Sequence, residues 1–217
     1  MQIYPAILTD SIETLQKQVF MAGVLPEVAT VQIDIVDGRF ADNLTVTPSD
    51  VAEIEFGELQ CDFHILTEEP MDFVFEMIEH ALPIRAVIGQ VERMSSQQFF
   101  LEEVEKHEWV PGLSLDIFTP LDAIEESSWR YIKVIQLMAI EAGFQGQKFN
   151  PLVVEKLAEL KKFIEENDLE VEIIVDGSMN AETVHTVMTA GADSIVVGSA
   201  LWNATDKAAL LKTLHSV

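Results

Sequence analysis

Short apolar segments alternate regularly with amphipathic ones, and this alternation limits the folds open to the chain more than any other feature. Eight segments have the length and composition of strands, at residues 3–8, 30–36, 60–66, 84–90, 110–115, 131–138, 171–175 and 193–197. Helical periodicity lies between them, most clearly at residues 11–22, 71–81, 97–107, 151–166, 181–190 and 205–214. Such an order is typical of a parallel sheet covered by its crossover helices.

Eight strand-helix units in 217 residues fit a closed (β/α)8 barrel, the TIM barrel, and a doubly wound open sheet is the alternative. No Pro- or Ser-rich linker divides the chain, so we expect one domain over residues 1–217. Capping residues or prolines mark helix starts at Asp10-Ser11, Pro48-Ser49, Thr119-Pro120, Asn150-Pro151 and Asn180. In a barrel the strand ends that precede these starts converge on one face, where function is expected.

The balance of charge excludes several classes of partner. The chain has 13 Lys and Arg against 37 Asp and Glu, a formal net charge of −24, which repels nucleic acid and anionic membranes.

The single Cys61 excludes an intramolecular disulfide, and we expect it to be an inert core thiol. Residues 1–5 carry no signal-peptide pattern, and no apolar run reaches membrane-spanning length, so a cytoplasmic protein is expected.

Four polar residues interrupt otherwise apolar strands near their carboxyl ends: Gln32, Asp34, His64 and Asp176. Buried polar groups are costly unless they are paired or coordinated, so these side chains should meet at the barrel mouth. Two carboxylates, an imidazole and an amide oxygen could hold a divalent cation. They could equally form a hydrogen-bonded cluster without a metal.

A glycine-containing run, residues 143–149, follows the sixth strand candidate and precedes a long helix. Backbone N–H groups in such a turn can converge on a phosphate oxygen without help from basic side chains, although the same pattern also occurs in plain turns. Because the whole chain is acidic, an anionic ligand would have to be held by local dipoles of this kind.

Several short motifs occur in a fixed order from about residue 3 to residue 202. They are Pro5-Ala6-Ile7-Leu8, Asp34-Ile35-Val36-Asp37-Gly38-Arg39-Phe40 with Asn43-Leu44-Thr45, Asp62-Phe63-His64-Ile65-Leu66 with Pro70, residues 143–149, Val175-Asp176-Gly177 and Gly198-Ser199-Ala200. Together they resemble the ribulose-phosphate 3-epimerase family.

The resemblance implies one divalent metal ion, which that family binds through two His and two Asp on strands two, three and seven. Asp34, His64 and Asp176 match three of the ligands, and the two aspartates match the acid and base that exchange protons at C3 of the sugar. Gln32 stands where the family has its first His. It could ligate through its amide oxygen, leave the position to water, or hydrogen-bond Asp34. The cation would be Mn²⁺, Fe²⁺, Zn²⁺ or Mg²⁺.

The resemblance also implies a phosphate site made of backbone amides after strands six, seven and eight. The matching residues are Gly143, Phe144, Gln145, Gly146, Gly177, Ser178, Gly198 and Ser199. Gln145 replaces a Gly of the family, and we expect it to reshape the loop because Gln tolerates positive φ less well. Ser178 replaces a second Gly, a milder change.

The sugar pocket is implied to be lined by Ala6, Leu8, Val36, Leu66 and Met138. Ala6 stands in place of a Ser, Val36 and Leu66 in place of two Met, and a His of the fourth strand is absent near residues 88–90. The methionine changes keep the lining apolar, whereas the Ser and His changes remove hydrogen-bonding groups.

The expected activity is interconversion of D-ribulose 5-phosphate and D-xylulose 5-phosphate by an epimerase. One alternative is epimerisation of a hexulose phosphate such as allulose 6-phosphate, because Ala6 could admit an extra carbon. The other is a phosphosugar-binding protein without catalysis, because Gln32 weakens the metal site. The resemblance further implies a homo-oligomer.

Overall fold

The structure is a computed structural model that describes residues 1–216, and it consists of a closed barrel of eight parallel strands in sequence order. The strands are β1 (Gln2–Ile7), β2 (Thr30–Val36), β3 (Gln60–Leu66), β4 (Ile84–Gln90), β5 (Val110–Leu115), β6 (Val134–Met138), β7 (Glu172–Asp176) and β8 (Ser194–Val197). The predicted TIM barrel is confirmed, and β1 pairs with β8, which excludes the open sheet.

In the described part of the chain, eight helices accompany the strands on the outside of the barrel. They are α1 (Ile12–Gly23), α2 (Pro48–Val51), α3 (Pro70–Ile78), α4 (Gln97–Lys106), α5 (Leu152–Glu166), α6 (Val184–Ala190), α7 (Ser199–Asn203) and α8 (Lys207–His215). Ser11 caps α1 by accepting a hydrogen bond from the N–H of Thr14, and Thr47 and Asp50 form a capping box on α2. Leu15, Val19 and Ala22 show the buried stripe by which α1 covers the strands.

One of the eight expected units has no α-helix. The connection from β5 to β6 contains two 3-10 turns, Leu121–Ala123 and Glu126–Ser128, and the helix start expected at Thr119-Pro120 begins the first of these turns. The helix pattern expected at residues 181–190 begins only at Val184, because Asn180 accepts hydrogen bonds from the N–H groups of Glu182 and Thr183 in a preceding turn.

The sixth strand also begins later than predicted, at Val134 rather than at residue 131. The N–H of Tyr131 donates to the carbonyl of Ser128, which completes a turn, and Ile132 is buried within that irregular segment. The apolar run therefore extends beyond the strand because the turn before it packs into the core.

The barrel interior is divided into a polar base, an apolar middle and a polar mouth. At the amino ends of the strands, Arg85 pairs with Asp62 and with Glu172, and Glu172 also accepts hydrogen bonds from Tyr4 and Ser194. Above this base lies a layer of buried apolar side chains: Ala6, Ala86, Ile88, Val134, Ile174 and Val196. The larger core lies between the barrel and the helices.

Within residues 1–216, no helix combines the length and apolar character that crossing a bilayer requires.

Candidate active site

A cavity opens at the carboxyl ends of the strands, where barrel chemistry is expected. The residues that line it are Ala6, Leu8, Asp34, His64, Leu66, Met138, Ile140, Gly143, Phe144, Gln145, Gly146, Asp176, Gly177, Ser178, Met179, Val196, Gly198 and Ser199. Strands β1, β2, β3, β6, β7 and β8 and the loops after them thus contribute to one site.

The three ionisable residues predicted for this site lie within contact of one another. Nδ1 of His64 is 3.1 Å from Oδ1 of Asp34 and 3.8 Å from Oδ2 of Asp176. The side chains are almost inaccessible, with 1% of His64, 8% of Asp34 and 13% of Asp176 exposed. Register explains part of this convergence, because Asp34 on β2 pairs directly with His64 on β3.

Gln32 turns its amide nitrogen toward both carboxylates. Its Nε2 donates to Oδ1 of Asp34 and to Oδ2 of Asp176, each at 2.8 Å. In this orientation Gln32 is a hydrogen-bond donor and offers no ligand atom to a cation. It is also absent from the cavity lining, so it lies beneath the carboxylates rather than beside a substrate.

Gln136, which was not among the predicted site residues, joins the same network. Its Nε2 donates to Oδ2 of Asp176 at 3.1 Å from β6. A glutamine in the middle of the strand Val134–Met138, otherwise apolar, is the signal that could have identified it.

The surroundings of Asp176 favour its protonated form. Burial, followed by the negative charge of Asp34, raises the pKa of Asp176 from its ordinary value of 3.8 to about 7. His64 and the hydrogen bond from Gln32 act in the opposite direction but are outweighed. Asp176 can therefore hold a proton near neutral pH, which suits a group that must both donate and accept one.

The donor atoms fit a divalent cation. Ligand atoms of Asp34, His64 and Asp176 all lie within 4.8 Å of one another, close enough to share one ion. Two carboxylate oxygens and an imidazole nitrogen suit Zn²⁺, Mn²⁺ or Fe²⁺. Gln32 could become a fourth ligand only by rotating its amide so that Oε1 replaces Nε2.

The loops after β6 and β7 use glycine where the backbone requires it. Gly143 has a φ of 109°, and a Cβ there would overlap Ala41. Gly177 has a φ of 110°, and a Cβ there would meet Ile140. Ser178 follows it with a φ of 58°, the left-handed conformation that the family's second Gly would adopt without cost.

Gln145 does not adopt a positive φ, so the strain expected at this position is absent. The loop makes its left-handed turns at Gly143 and Gly146 instead. The side chain of Gln145 extends toward Gly198, where its Nε2 would lie 3.4 Å from an added Cβ. Any effect of Gln145 on the pocket therefore comes from its side chain rather than from a positive φ.

Backbone donors remain free around these loops. Within residues 1–216, the N–H groups of Gly146 and Ser178 donate to no other protein group. Asn43 fixes the β6 loop by donating to the carbonyl of Gly143 at 2.8 Å. Free backbone N–H groups of this kind are the donors from which anion-binding concavities can be built.

Val36 is the one predicted pocket residue that does not line the cavity. It is 1% exposed and packs with Leu66, Met138, Ile140 and Ala142 behind the cavity wall. The other predicted pocket residues all line it, and Ile140, Met179 and Val196 join them. Cys61 is buried beneath the helices, where desolvation raises the pKa of its thiol.

Comparisons with known proteins agree with this geometry. The ribulose-phosphate 3 epimerase family matches residues 2–202. Ribulose-phosphate 3-epimerase of Methanocaldococcus jannaschii is 31% identical over 184 residues, which cover 84% of this chain and 76% of the relative. The enzyme of the same name from Bacillus subtilis is 30% identical over 181 residues, covering 82% of this chain and 81% of the relative.

Solved structures share the fold at low identity. A 3-hexulose-6-phosphate synthase superposes with a TM-score of 0.67 at 16% identity, covering 100% of this chain and 99% of the other. The synthase from Salmonella typhimurium gives 0.65 at 12% identity, covering 100% of this chain and 97% of the other. The predicted family is confirmed by the match over residues 2–202, and the chain belongs to the ribulose-phosphate 3-epimerase family.

Proposed function

We propose that this chain is a cation-assisted 3-epimerase that interconverts D-ribulose 5-phosphate and D-xylulose 5-phosphate. The observation that carries the proposal is a pair of carboxylates, the buried Asp34 and the partly buried Asp176, which line one cavity and are bridged by a single amide nitrogen. Family membership supplies the reaction class, and epimerases are also what the curated relatives are named.

Epimerisation at C3 needs a base on one face of the carbon and an acid on the other. Removal of the C3 proton leaves a planar enediolate, to which the second carboxyl group returns a proton from the opposite side. The raised pKa of Asp176 favours its protonated form near neutral pH, so this carboxyl group can supply the proton. The two groups exchange these roles when the reaction runs in reverse.

Asp34, His64 and Asp176 would hold the cation, which would stabilise negative charge on the substrate oxygens. His64 contributes its Nδ1, the nitrogen that faces both aspartates. Leu66, Met138 and Ile140 give the cavity an apolar wall, which limits water around the carboxylates and strengthens their interactions.

The phosphate group would bind at the opposite side of the cavity, against the loops after β6, β7 and β8. The free N–H groups of Gly146 and Ser178 support this placement. Gly177, Gly198 and Ser199 line the same part of the cavity and present no side chain longer than that of serine. A phosphate bound there leaves the sugar carbons directed toward Asp34 and Asp176.

A phosphosugar-binding role without catalysis is the second candidate, because Gln32 satisfies the two carboxylates with N–H hydrogen bonds. Such a protein would bind phosphate esters but would exchange no C3 proton with solvent. The hexulose phosphate alternative differs only in substrate, since Ala6 lines the cavity without a hydroxyl group.

A coupled assay separates these functions. Metal-stripped protein is assayed on D-ribulose 5-phosphate with Mn²⁺, Fe²⁺, Zn²⁺ or Mg²⁺ added back, beside Asp34→Asn and Asp176→Asn as controls. The proposal predicts cation-dependent turnover that both substitutions abolish. The same protein is then tested on allulose 6-phosphate, and turnover of that ketose alone would make it a hexulose phosphate epimerase. If neither ketose exchanges its C3 proton with solvent, the phosphosugar-binding role without catalysis is the one supported.

A further inference from the structure

Gln136 occupies a position in the barrel interior where an apolar residue would be expected. It lies at the centre of β6, whose other members are Val134, Ile135, Leu137 and Met138. The side chain is fully buried and does not line the cavity. It therefore makes no contact with solvent or with a substrate in that cavity.

The amide of Gln136 is only half satisfied. Its Nε2 donates to Oδ2 of Asp176 at 3.1 Å, but its Oε1 is buried without a hydrogen-bond partner among residues 1–216. Leaving a buried carbonyl oxygen unpaired costs stability, and a leucine or methionine would avoid that cost. Nε2 also approaches Sδ of Met138 at 3.9 Å, but a thioether is a weak acceptor, so the hydrogen bond to the Asp176 carboxylate is the stronger contact that can offset this cost.

Two amides hold the same carboxylate oxygen from different strands. Gln32 approaches Oδ2 of Asp176 from β2 at 2.8 Å, and Gln136 approaches it from β6. Within the described residues, Oδ1 of Asp176 accepts no hydrogen bond from a side chain. The two amide donors thus hold Oδ2 from the barrel interior, and no side chain of the described residues holds Oδ1 in the same way.

We propose that Gln136 is a positioning residue that fixes the rotation of the Asp176 carboxylate for proton transfer. This inference rests on the proposed role of Asp176 in epimerisation. Gln136 acts through Asp176 and does not touch the substrate. Because its hydrogen bond comes from β6, the hold on Asp176 does not depend on the amide orientation of Gln32.

The first test is spectroscopic and needs no turnover. The intact protein is labelled with ¹⁵N-glutamine, and its side-chain amide signals are assigned with Gln32→Met, Gln90→Met and Gln136→Met. Asp176→Asn is expected to shift the signals of Gln32 and Gln136 and to leave that of Gln90 in place. An unmoved Gln136 signal would overturn the proposal.

Gln90 provides a matched control because it is also a buried glutamine on an interior strand. Its amide lies against Ser114 and Glu92, within 2.9 to 3.2 Å, and contacts neither aspartate of the site. Gln90→Met and Gln136→Met therefore remove an equivalent buried amide. Thermal unfolding of both shows whether either substitution prevents folding.

The second test separates positioning from mere stability. Gln136→Met is expected to lower kcat about tenfold while KM stays within about twofold, whereas Gln90→Met keeps kcat. The same two variants are compared for Mn²⁺ affinity by calorimetry, where Gln136→Met should bind about tenfold more weakly.

The outcomes remain distinguishable. A wild-type protein that turns over no ketose phosphate overturns the proposed function, and the Mn²⁺ titration and amide spectra then decide whether Gln136 organises Asp176. Equal kcat and equal Mn²⁺ affinity in Gln136→Met and wild type would overturn the positioning role itself.

Discussion

At the scale of single residues, the site depends on which atom of an amide faces the carboxylates. Gln32 stands where the family has an imidazole, yet its Nε2 donates hydrogen bonds to Asp34 and Asp176. A metal ligand at this position would instead present a lone pair to the cation. The sequence predicts that Gln32 lies beside Asp34, but the direction of its amide follows from the three-dimensional arrangement of acceptors. The same holds for Gln136, whose partner lies 40 positions away in sequence.

Replacement of Gln32 by His tests whether the remaining ligands form a competent metal site. An imidazole removes the bridging N–H donor and supplies a nitrogen ligand, so we expect Gln32→His to bind Zn²⁺ at least about tenfold more tightly. Competition with a chromogenic chelator measures the affinity. Unchanged Zn²⁺ binding would show that Asp34, His64 and Asp176 do not act as a ligand set.

The raised pKa of Asp176 predicts how stability depends on pH in metal-stripped protein. The folded state holds this proton up to about pH 7, whereas the unfolded state loses it near 3.8. Between these values the folded state binds more protons, so rising pH costs stability. Below pH 3.8 both states hold the proton and stability does not change with pH on this account. Above about pH 7 both states have lost it, and the loss of stability has reached its full size.

Asp176→Asn removes this cost because asparagine does not ionise. The variant should gain free energy of unfolding relative to wild type as the pH rises from 5 to 8, measured by urea denaturation. Asp10→Asn, at an exposed position, controls for the loss of one negative charge. A difference between Asp176→Asn and wild type that stays constant over this range would contradict the argument.

At the scale of elements, strands were predicted better than the connections between them. Strands β2 to β5 have the predicted bounds, because their apolar runs end at clear turn signals. The β5–β6 connection was harder, since a proline such as Pro120 can precede either a helix or, as here, the 3-10 turn Leu121–Ala123. Helix α7 follows β8 so closely that no periodic pattern could show it.

The loop after β6 should not tolerate a side chain at Gly143. In Gly143→Ala the methyl group would overlap Ala41 and would displace the loop that carries the free N–H of Gly146. We expect KM for the phosphorylated substrate to rise about tenfold, about 1.4 kcal/mol of binding. Steady-state kinetics measure this change.

Gly57→Ala is the matched control, since Gly57 also has a positive φ, 62°, but an added Cβ would meet nothing within 4 Å. Both variants therefore carry backbone strain, and only Gly143→Ala carries a steric clash. An equal rise of KM in the two variants would assign the effect to strain in general rather than to the loop.

The base of the barrel should contribute mainly stability. In Arg85→Met, the carboxylates of Asp62 and Glu172 lose their cation, and Asp62 is only 1% exposed. Removing one partner of a buried pair is expected to cost about 3–5 kcal/mol in the free energy of unfolding, with KM unchanged. Urea denaturation measures the loss.

Arg39→Met supplies the comparison, because Arg39 pairs with Glu68 at the surface, where the side chains are 76% and 54% exposed. An exposed pair contributes about 0–1 kcal/mol. A similar loss in both variants would show that the Arg85 network carries no more energy than a surface ion pair.

At the scale of the whole molecule, an acidic protein is proposed to bind an anion. The chain has a net charge of −24, and the side of the cavity proposed to bind phosphate has free backbone N–H groups. Short-range hydrogen bonds must therefore act against a long-range repulsion. The closed barrel makes this arrangement workable, because it holds the loops after β6, β7 and β8 side by side.

Salt should therefore favour substrate capture. Raising NaCl from about 0.01 M to about 0.15 M shortens the screening length from about 30 Å to about 8 Å. We expect kcat/KM for the phosphate ester to rise over this range, while sucrose of matched osmolarity has no such effect. A steady fall with salt would indicate that the local field at the cavity is positive despite the acidic surface.

The layer of Ala86, Ile88, Val134 and Ile174 separates the ion-paired base from the site at the mouth. Among residues 1–216, those on opposite sides of this layer share no hydrogen-bond partner, so substitutions at the two ends should combine additively. The polar network around Asp176 can therefore be altered by substitution while the ion pairs of Arg85 stay in place. A barrel divided in this way suits directed evolution, because its catalytic end can be varied separately from the end that closes its floor.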